Sequence, residues 1–258
     1  MAGMDTGLAG RRVLVTGATG GIGGEIVRAF GTEGARVAVH HRSGADRARE
    51  LAAAYDGVAL GADLTVEAEV DALVTGAVAG LGGLDVLVAN AGKYPVPAVP
   101  LWEMDAARWR TTMAANLDAV FLVCRAFLRH VATTGVGTVV LVGSTAARFG
   151  EADHADYAAA KAALTGLALS LKNEIVRIAP AGRVNIVAPG WTATDRNADR
   201  LDDDDFVRAR TATMSLAKLG RPADVAAACL VLASDRLSGH VSGETVTVAG
   251  GMEGRVLR

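Results

Sequence analysis

The chain has 258 residues, 51% of them hydrophobic, and its formal net charge is −2. This length and composition allow a large buried core and exclude global disorder, while the charge excludes a basic surface for nucleic acid. No uninterrupted apolar run is long enough for a bilayer and the first residues lack the apolar core of a secretion signal, so we expect no membrane partner and a cytoplasmic location.

A short β-branched run, residues 12–16 (RVLVT), ends in a glycine cluster, and an amphipathic helical pattern follows. Strand, glycine turn and helix form a phosphate-binding unit, because glycines let a pyrophosphate approach the backbone and the helix N-terminus supplies free N–H groups. The spacing is G-x-x-x-G-x-G, through Gly17, Gly21 and Gly23. A glycine-rich turn without a ligand is the alternative, but the flanking strand and helix favour a nucleotide site.

The second predicted strand, residues 36–41 (RVAVHH), ends where dinucleotide folds meet the adenosine ribose. An acidic residue there suits NAD, whereas an arginine accommodates the 2′-phosphate of NADP. This chain offers His41, Arg42 and Ser43, without a carboxylate. Because an arginine can bind a phosphate bidentately, we predict NADP(H) as the cofactor in preference to NAD(H); the alternative is that Arg42 is a solvated loop charge.

Further short apolar runs alternate with helical patterns along the rest of the chain. Such alternation indicates right-handed βαβ units and a parallel sheet. We find no repeat or linker, and therefore predict a single α/β domain over residues 1–258. Its fold would be a Rossmann-type, doubly wound parallel sheet of about seven strands with helices on both faces. The later strands are predicted at residues 58–62, 84–89, 138–142, 183–188 and 245–248.

Two longer segments complete the pattern. Residues 105–131 predict one long helix that contains Asn116, for which the simplest interpretation is an ordinary exposed position. Residues 191–218 show no strong periodicity, and we interpret them as a substrate loop or lid.

The histidines are scattered and form no zinc-binding set, so we expect no metal. His154 lies three residues before Tyr157, and we expect it to be an exposed loop residue; the alternative is that it faces the substrate.

Tyr157 and Lys161 lie four residues apart in an alanine-rich run over residues 155–168. On a helix both side chains lie on one face, where the lysine charge favours the phenolate and lowers the pKa of the tyrosine. This arrangement makes a tyrosine usable for acid–base catalysis, and Ser144 adds a hydroxyl at the end of a predicted buried strand. The pair alone is also compatible with a surface tyrosine beside a solvated lysine.

Together these features resemble the short-chain dehydrogenase/reductase family over essentially the whole chain, and within it the bacterial 3-oxoacyl-carrier-protein reductase type. Each motif is weak alone, but all fall in the family's order and on the expected elements. The matching residues are Thr16, Gly17, Gly21, Ile22, Gly23, Asp63, Leu64, Asn90, Ala91, Gly92, Asn116, Ser144, Tyr157, Lys161, Pro189, Gly190, the Gly-Arg-Pro run at residues 220–222 and the Ala-Gly-Gly run at residues 249–251.

The resemblance implies four catalytic residues. Tyr157 would be the general acid in ketone reduction and the base in alcohol oxidation. Lys161 would bind the nicotinamide ribose and lower the pKa of Tyr157. Ser144 would polarise the substrate carbonyl, and Asn116 would hold a water in a proton relay that reaches Lys161.

The resemblance also implies a set of cofactor contacts. The glycine turn would bind the pyrophosphate, the ends of the second and third strands the adenosine, and the later motifs the ribose and nicotinamide. These residues are Gly17, Thr19, Gly20, Gly21, Ile22, Gly23, His41, Arg42, Ser43, Asp63, Leu64, Asn90, Ala91, Gly92, Tyr157, Lys161, Pro189, Gly190, Thr192 and Thr194.

The favoured hypothesis is an NADPH-dependent reductase that converts a ketone to a secondary alcohol, of the 3-oxoacyl or polyketide type, on a free or carrier-protein-bound substrate. The alternatives are a dehydrogenase that oxidises a small or cyclic secondary alcohol, and a cofactor-binding protein without activity. Residues 93–102, 145–153 and 191–215 would line the substrate pocket. Their aromatic residues suggest a partly apolar substrate: Tyr94, Phe149, Trp191 and Phe206. The resemblance further implies a homotetramer.

Overall fold

The computed structural model describes residues 5–254, apart from the side chains of Arg196 and Asn197. Its seven strands form one sheet in the order β3-β2-β1-β4-β5-β6-β7, and every neighbouring pair is parallel. This arrangement confirms the predicted fold class. The strands are β1 (Arg12–Val15), β2 (Arg36–His41), β3 (Val58–Gly61), β4 (Val86–Ala89), β5 (Thr138–Val142), β6 (Arg183–Pro189) and β7 (Thr245–Val248).

Helices connect the strands, and short 3₁₀ turns lie at Leu101–Glu103 and Asp195–Arg200. Two short helices, α6 (Ala146–Phe149) and α10 (Asp235–Ser238), were not predicted, because each is only a single turn long. The helices are α1 (Gly21–Thr32), α2 (Ala45–Ala53), α3 (Glu67–Leu81), α4 (Ala106–Met113), α5 (Ala119–Thr134), α6 (Ala146–Phe149), α7 (Ala155–Ile175), α8 (Asp204–Thr211), α9 (Pro222–Ala233) and α10 (Asp235–Ser238).

The core lies in two layers, one on each face of the sheet, because successive strand side chains point in opposite directions. In β1, Leu14 packs into a buried cluster with residues of α3, α5 and α7. Its neighbours Val13 and Val15 pack into the other cluster, with residues of α1, α2 and α9. Both faces of each central strand are therefore covered, which explains why these strands are apolar without alternation.

The helix predicted over residues 105–131 is interrupted. A π turn, Ala114–Asp118, joins α4 to α5, and Asn116 lies fully buried within it. The expectation of an exposed Asn116 was therefore wrong. By length and composition alone, Ala106–Thr134 is also apolar enough to cross a bilayer, with 44% of its most apolar stretch buried. The core helix of a soluble protein passes the same test, and the inner face of α5 packs into the core.

The strand order places a crevice where the chain reverses direction across the sheet. From β1 the chain moves outward to β2 and β3, and β4 then returns to the opposite side of β1. The loops after β1 and β4 consequently diverge, and ligands bind outside the carboxyl ends of strands at such a point.

Candidate active site

A cavity of 810 Å³ opens at the carboxyl ends of β1, β4, β5 and β6. It brings together most of the residues that the sequence assigned to the site. Those that line it are Gly17, Thr19, Gly20, Gly21, Ile22, Gly23, Asn90, Ala91, Gly92, Ser144, Tyr157, Lys161, Pro189, Gly190, Thr192 and Thr194. Predicted residues outside the lining are His41, Arg42, Ser43, Asp63, Leu64 and Asn116.

The glycine turn has the shape of a cradle for phosphate. Gly17 has a φ of +62°, and a Cβ atom there would lie 2.9 Å from the Ala91 Cα. A Cβ at Gly23 would overlap the Gly17 carbonyl oxygen. The side chain of the capping residue makes no hydrogen bond at the start of α1, since that residue is Gly20, and the first turn lines the cavity at the positive end of the helix dipole. The turn therefore fits a dinucleotide pyrophosphate.

Polar side chains hold the turn from behind. The buried Thr16 Oγ1 accepts hydrogen bonds from the Asn90 and Ala91 N–H groups, both at 3.0 Å. The Asn90 side-chain amide donates to the Thr16 and Gly17 carbonyls, at 2.9 and 3.2 Å. Asn90 thus lines the cavity, but its amide group is engaged in joining β4 to the glycine turn.

His40 is a supporting residue that the sequence analysis missed. Its Nδ1 accepts a hydrogen bond from the Gly17 N–H at 2.9 Å, and its Nε2 lies 3.0 Å from the Ala62 carbonyl oxygen. A neutral imidazole with the proton on Nε2 satisfies both contacts. Burial lowers the pKa of His40, which is consistent with the neutral form. The alternation of β2 predicts the burial of this residue, but its polar contacts depend on the tertiary structure.

The residues at the ends of β2 and β3 form the border of the cavity. The Thr19 hydroxyl donates to the Ser43 carbonyl at 3.2 Å and so ties the glycine turn to the loop after β2. Hydrogen bonds from Thr65 and, to a smaller extent, the charge of Arg42 lower the pKa of Asp63. Leu64 packs into the core, so only its backbone is available to a ligand.

The predicted Tyr157/Lys161 pair lies on α7 beside the end of β5. Lys161 is 4% exposed, its Nζ donates to the Val142 carbonyl at 2.9 Å, and burial lowers its pKa to about 8. The Nζ atom is 5.9 Å from the centroid of the half-buried Tyr157 ring. The Ser144 Oγ accepts from the Ala146 N–H at 3.1 Å and lines the same cavity.

Asn116 lies one layer behind the cavity. Its Oδ1 accepts from the Lys93 N–H and its Nδ2 donates to the Lys93 and Thr112 carbonyls, each at 3.0 Å. A Cβ at Gly92 would be 2.9 Å from Asn116 Oδ1 and 3.3 Å from Lys161 Nζ. Gly92 therefore separates the two side chains, and the absence of a side chain at this position lets them approach each other.

Asp156 is a second supporting residue that the sequence analysis missed. Its carboxylate is fully buried and accepts from the Thr112 hydroxyl at 2.7 Å and from the Arg108 Nε at 3.1 Å. It also accepts from the Tyr157 N–H at 2.9 Å. Burial raises the pKa of this carboxyl, but the hydrogen bonds outweigh burial and hold the pKa below its usual value. Asp156 thus fixes the start of α7 against α4.

The side of the cavity formed by the loops after β4 and β6 is aromatic. The Tyr94 ring stacks on His154 with centroids 4.4 Å apart and contacts the Tyr157 ring edge-on at 5.2 Å. The Tyr94 hydroxyl donates to Glu151 at 2.6 Å. His154 is buried, and its ring nitrogens lie 3.1 Å from the carbonyl oxygens of Pro95 and Ala152. The expectation of an exposed histidine was therefore wrong, since the loop containing the prolines folds over this residue.

The segment predicted as a lid, residues 191–218, covers this side with a 3₁₀ turn and α8. Trp191 lies 6.2 Å from Tyr94 and 6.1 Å from Phe206, between ring centroids. All three of these rings line the cavity, as predicted, whereas the fourth predicted aromatic residue, Phe149, does not.

A family profile described as enoyl-(acyl carrier protein) reductase matches residues 17–253. Cis-4-hydroxycyclohexanecarboxylate dehydrogenase of Sinomonas cyclohexanicum is 40% identical, over 96% of this chain and 98% of the relative. 3beta-hydroxysteroid dehydrogenase 1 of Eggerthella lenta is 35% identical, over 95% and 94%. The 3-oxoacyl-[acyl-carrier-protein] reductase of Salmonella typhimurium is 34% identical, over 94% and 97%.

Proposed function

The chain belongs to the short-chain dehydrogenase/reductase family, whose members interconvert carbonyl and alcohol groups with a nicotinamide cofactor, and we propose that it reduces a ketone to a secondary alcohol with NADPH. The proposed proton donor is the Tyr157 hydroxyl, with Ser144 donating a hydrogen bond to the substrate oxygen. The favoured substrates are 3-oxoacyl or polyketide-type ketones, either free or bound to a carrier protein.

The proton step follows from the electrostatics of α7. Negative charge develops on the substrate oxygen during reduction, and donors aimed at that oxygen stabilise the transition state. Tyr157 would transfer its proton to this oxygen and become a phenolate. The ammonium group of Lys161 favours the phenolate, because its Nζ lies 5.9 Å from the ring in a buried setting.

The residues that line the cavity are of the kinds that bind a dinucleotide. The glycine turn and the start of α1 would hold the pyrophosphate, Lys161 the nicotinamide ribose, and Thr192 and Thr194 the nicotinamide end. When bound, NADPH supplies the hydride for the carbonyl carbon. The protein's part is to orient the substrate and to provide the proton.

The cofactor preference rests on one observation: residues 41–44, at the end of β2, contain no carboxylate and place Arg42 at the surface. A carboxylate at this point would accept the 2′-hydroxyl of NAD and repel a phosphate. Asp63, on the neighbouring strand end, is close enough to Arg42 for the arginine's charge to lower its pKa. We infer that Arg42 binds the 2′-phosphate of NADPH.

Paired titrations of NADPH and NADH, followed by tryptophan fluorescence, test the proposal. Loss of a charge-assisted hydrogen bond in Arg42→Ala should weaken NADPH binding about 10- to 100-fold and leave NADH binding unchanged. Arg49→Ala is the matched control, because Arg49 is an exposed arginine of the adjacent helix α2 that pairs with Asp46. Equal affinity for the two cofactors in the wild type would show that Arg42 holds no phosphate.

A second candidate function is the oxidation of a small or cyclic secondary alcohol. Two of the similar proteins are dehydrogenases of ring alcohols by name, a hydroxycyclohexanecarboxylate and a 3β-hydroxysteroid. The same residues serve both directions, since Tyr157 would then accept the alcohol proton. Initial rates with a panel of cyclic ketones and the matching alcohols, with both cofactor pairs, separate the two candidates.

We also propose a homotetramer in the cytoplasm. The support is that α4, α5 and α7 present large apolar side chains to the surface: Trp109, Phe121 and Leu169 are 37%, 45% and 44% exposed. Light scattering of the purified protein gives the oligomeric state directly.

A further inference from the structure

Arg210, near the end of α8, lies on two aromatic rings of the cavity wall. Its guanidinium carbon is 4.9 Å from the centroid of Trp191 and 4.4 Å from that of Phe206. Stacking on rings fixes the plane of a guanidinium group and covers its faces, while the N–H groups at its edge stay available. The group is therefore held in place before any ligand arrives.

In the part of the chain that the structure describes, no carboxylate neutralises the positive charge of Arg210. Within residues 5–254, no carboxylate lies at ion-pair distance from its guanidinium, although Arg208 on the same helix pairs with Asp205 at 2.5 Å. Arg47, which also lines the cavity, pairs with Asp195 at 3.3 Å. A half-buried arginine without an anion, stacked beside an open cavity, is a candidate binding group for an anionic ligand.

The position of Arg210 connects it to the reacting end of the site. The Tyr94 ring contacts both Tyr157 and Trp191, and Trp191 in turn contacts Arg210. All of these residues line one cavity. Glu151, a carboxylate of this wall, accepts a hydrogen bond from the Tyr94 hydroxyl at 2.6 Å. Arg200, 4.1 Å from the Phe206 ring, adds a second positive charge on the lid side.

We propose that Arg210 binds an anionic oxygen group of the substrate, at the end remote from the carbonyl that Tyr157 protonates. The aromatic wall between them would hold an apolar body, so the substrate class is an oxo compound with an apolar skeleton and a terminal anion. This inference rests on the proposed function. The anion is either the carboxylate of a small oxo acid or the phosphate of a carrier protein's pantetheine arm, since both bind an arginine edge bidentately.

The test compares charged and neutral forms of the same ketone. One pair is a cyclic oxo acid and its methyl ester; the other is a 3-oxoacyl phosphopantetheine thioester and its N-acetylcysteamine analogue. For each pair we compare kcat/KM of the charged form with kcat/KM of the neutral form. In the wild type this ratio should exceed 10 for at least one of the two pairs. Arg210→Met keeps an apolar side chain on the rings and should lower this ratio about 10- to 100-fold, mainly through KM.

Two further variants control the comparison. Arg208→Met removes an exposed arginine of the same helix and should leave the ratio at the wild-type value. Arg210→Lys keeps the charge but loses the planar fork, and should give a ratio between those of the wild type and Arg210→Met.

The outcomes distinguish the two sources of the anion, and they separate failure of this inference from failure of the proposed function. A preference confined to the oxo acid pair assigns a carboxylate, and one confined to the thioester pair assigns a pantetheine phosphate. Equal use of charged and neutral forms by the wild type, or equal ratios for Arg210→Met and Arg208→Met, would overturn the inference. If no ketone is turned over, the reductase proposal fails separately. In that case a binding measurement still tests Arg210: the oxo acid, but not its ester, should quench the fluorescence of Trp191. The Trp191→Phe variant identifies the source of the signal.

Discussion

The two halves of the cavity are built from different parts of the chain. The half around the glycine turn, which we propose holds the cofactor, is made mainly of backbone: glycines at the end of β1, with Thr16, His40 and Asn90 bonded to main-chain groups behind them. The other half, which we propose holds the substrate, is made of large side chains from loops and from residues 191–218. Backbone geometry tolerates little change, whereas a wall of side chains can be altered without rebuilding the fold. The comparison predicts different consequences for substitutions in each half.

Tyr157→Phe should have the largest effect, because Tyr157 stands at the border of the two halves and is the proposed proton donor. Removal of the proton donor should lower kcat/KM by about 10²- to 10⁴-fold. NADPH affinity, measured by fluorescence titration, should stay within about twofold of the wild type. A variant with appreciable ketone reduction would show that another group supplies the proton.

Lys161→Met tests the buried charge at the same border. Lys161 has a folded-state pKa of about 8, below its ordinary value of 10.5, because burial disfavours the ammonium form. Between these pH values the unfolded chain binds a proton that the folded chain lacks, so the free energy of unfolding rises with pH, by up to about 1.4 kcal/mol per pH unit.

The variant lacks this contribution. Its stability relative to the wild type should therefore fall by a total of up to about 3 kcal/mol as the pH rises from 8 to 10.5, in urea titrations without cofactor. Parallel pH profiles for the two proteins would contradict a lowered pKa.

Thr16→Val probes the backbone half. The isosteric valine leaves the Ala91 N–H, and in part the Asn90 N–H, without the hydroxyl acceptor at 3.0 Å, which should reduce the free energy of unfolding by about 1–3 kcal/mol. NADPH binding should weaken with it, because the turn at Gly17 loses its support. Thr16→Ser retains the hydroxyl and serves as the matched control; if it is as impaired as valine, packing and not hydrogen bonding is the cause.

Phe206→Leu should have the smallest effect on the protein. Replacement of the buried Phe206 by a smaller apolar side chain should lower the free energy of unfolding by about 1 kcal/mol. KM for the ketone should rise several-fold, since the ring under Arg210 is lost, and the NADPH dissociation constant should stay within about twofold. A cofactor affinity reduced as much as in Thr16→Val would abolish the distinction between the halves.

The same difference explains which features could be predicted from the sequence. The buried strands and the glycine turn follow from local patterns, because β-branched runs and glycine spacing report on the backbone directly. The interpretation of Asn116 as an exposed position was wrong, since one polar residue in a helical pattern does not reveal a π turn, while its role in a proton relay stays a prediction. The burial of His154 and the roles of His40 and Asp156 depend on partners that lie far away in the chain. Arg210 has no local signal at all, because its stack depends on the packing of α8 against Trp191.

The strand order also governs the timing of folding during synthesis. One neighbour of β1 is β2, but the other is β4, which begins only at Val86. At about 5–20 residues per second, the ribosome needs roughly 4–14 s between the end of β1 and the start of β4. During this time one edge of β1 stays unpaired. An open apolar strand edge is a template for pairing with other chains. The nascent protein is therefore most vulnerable to aggregation before β4 emerges, and a chaperone that covers the first three strands would act in this interval.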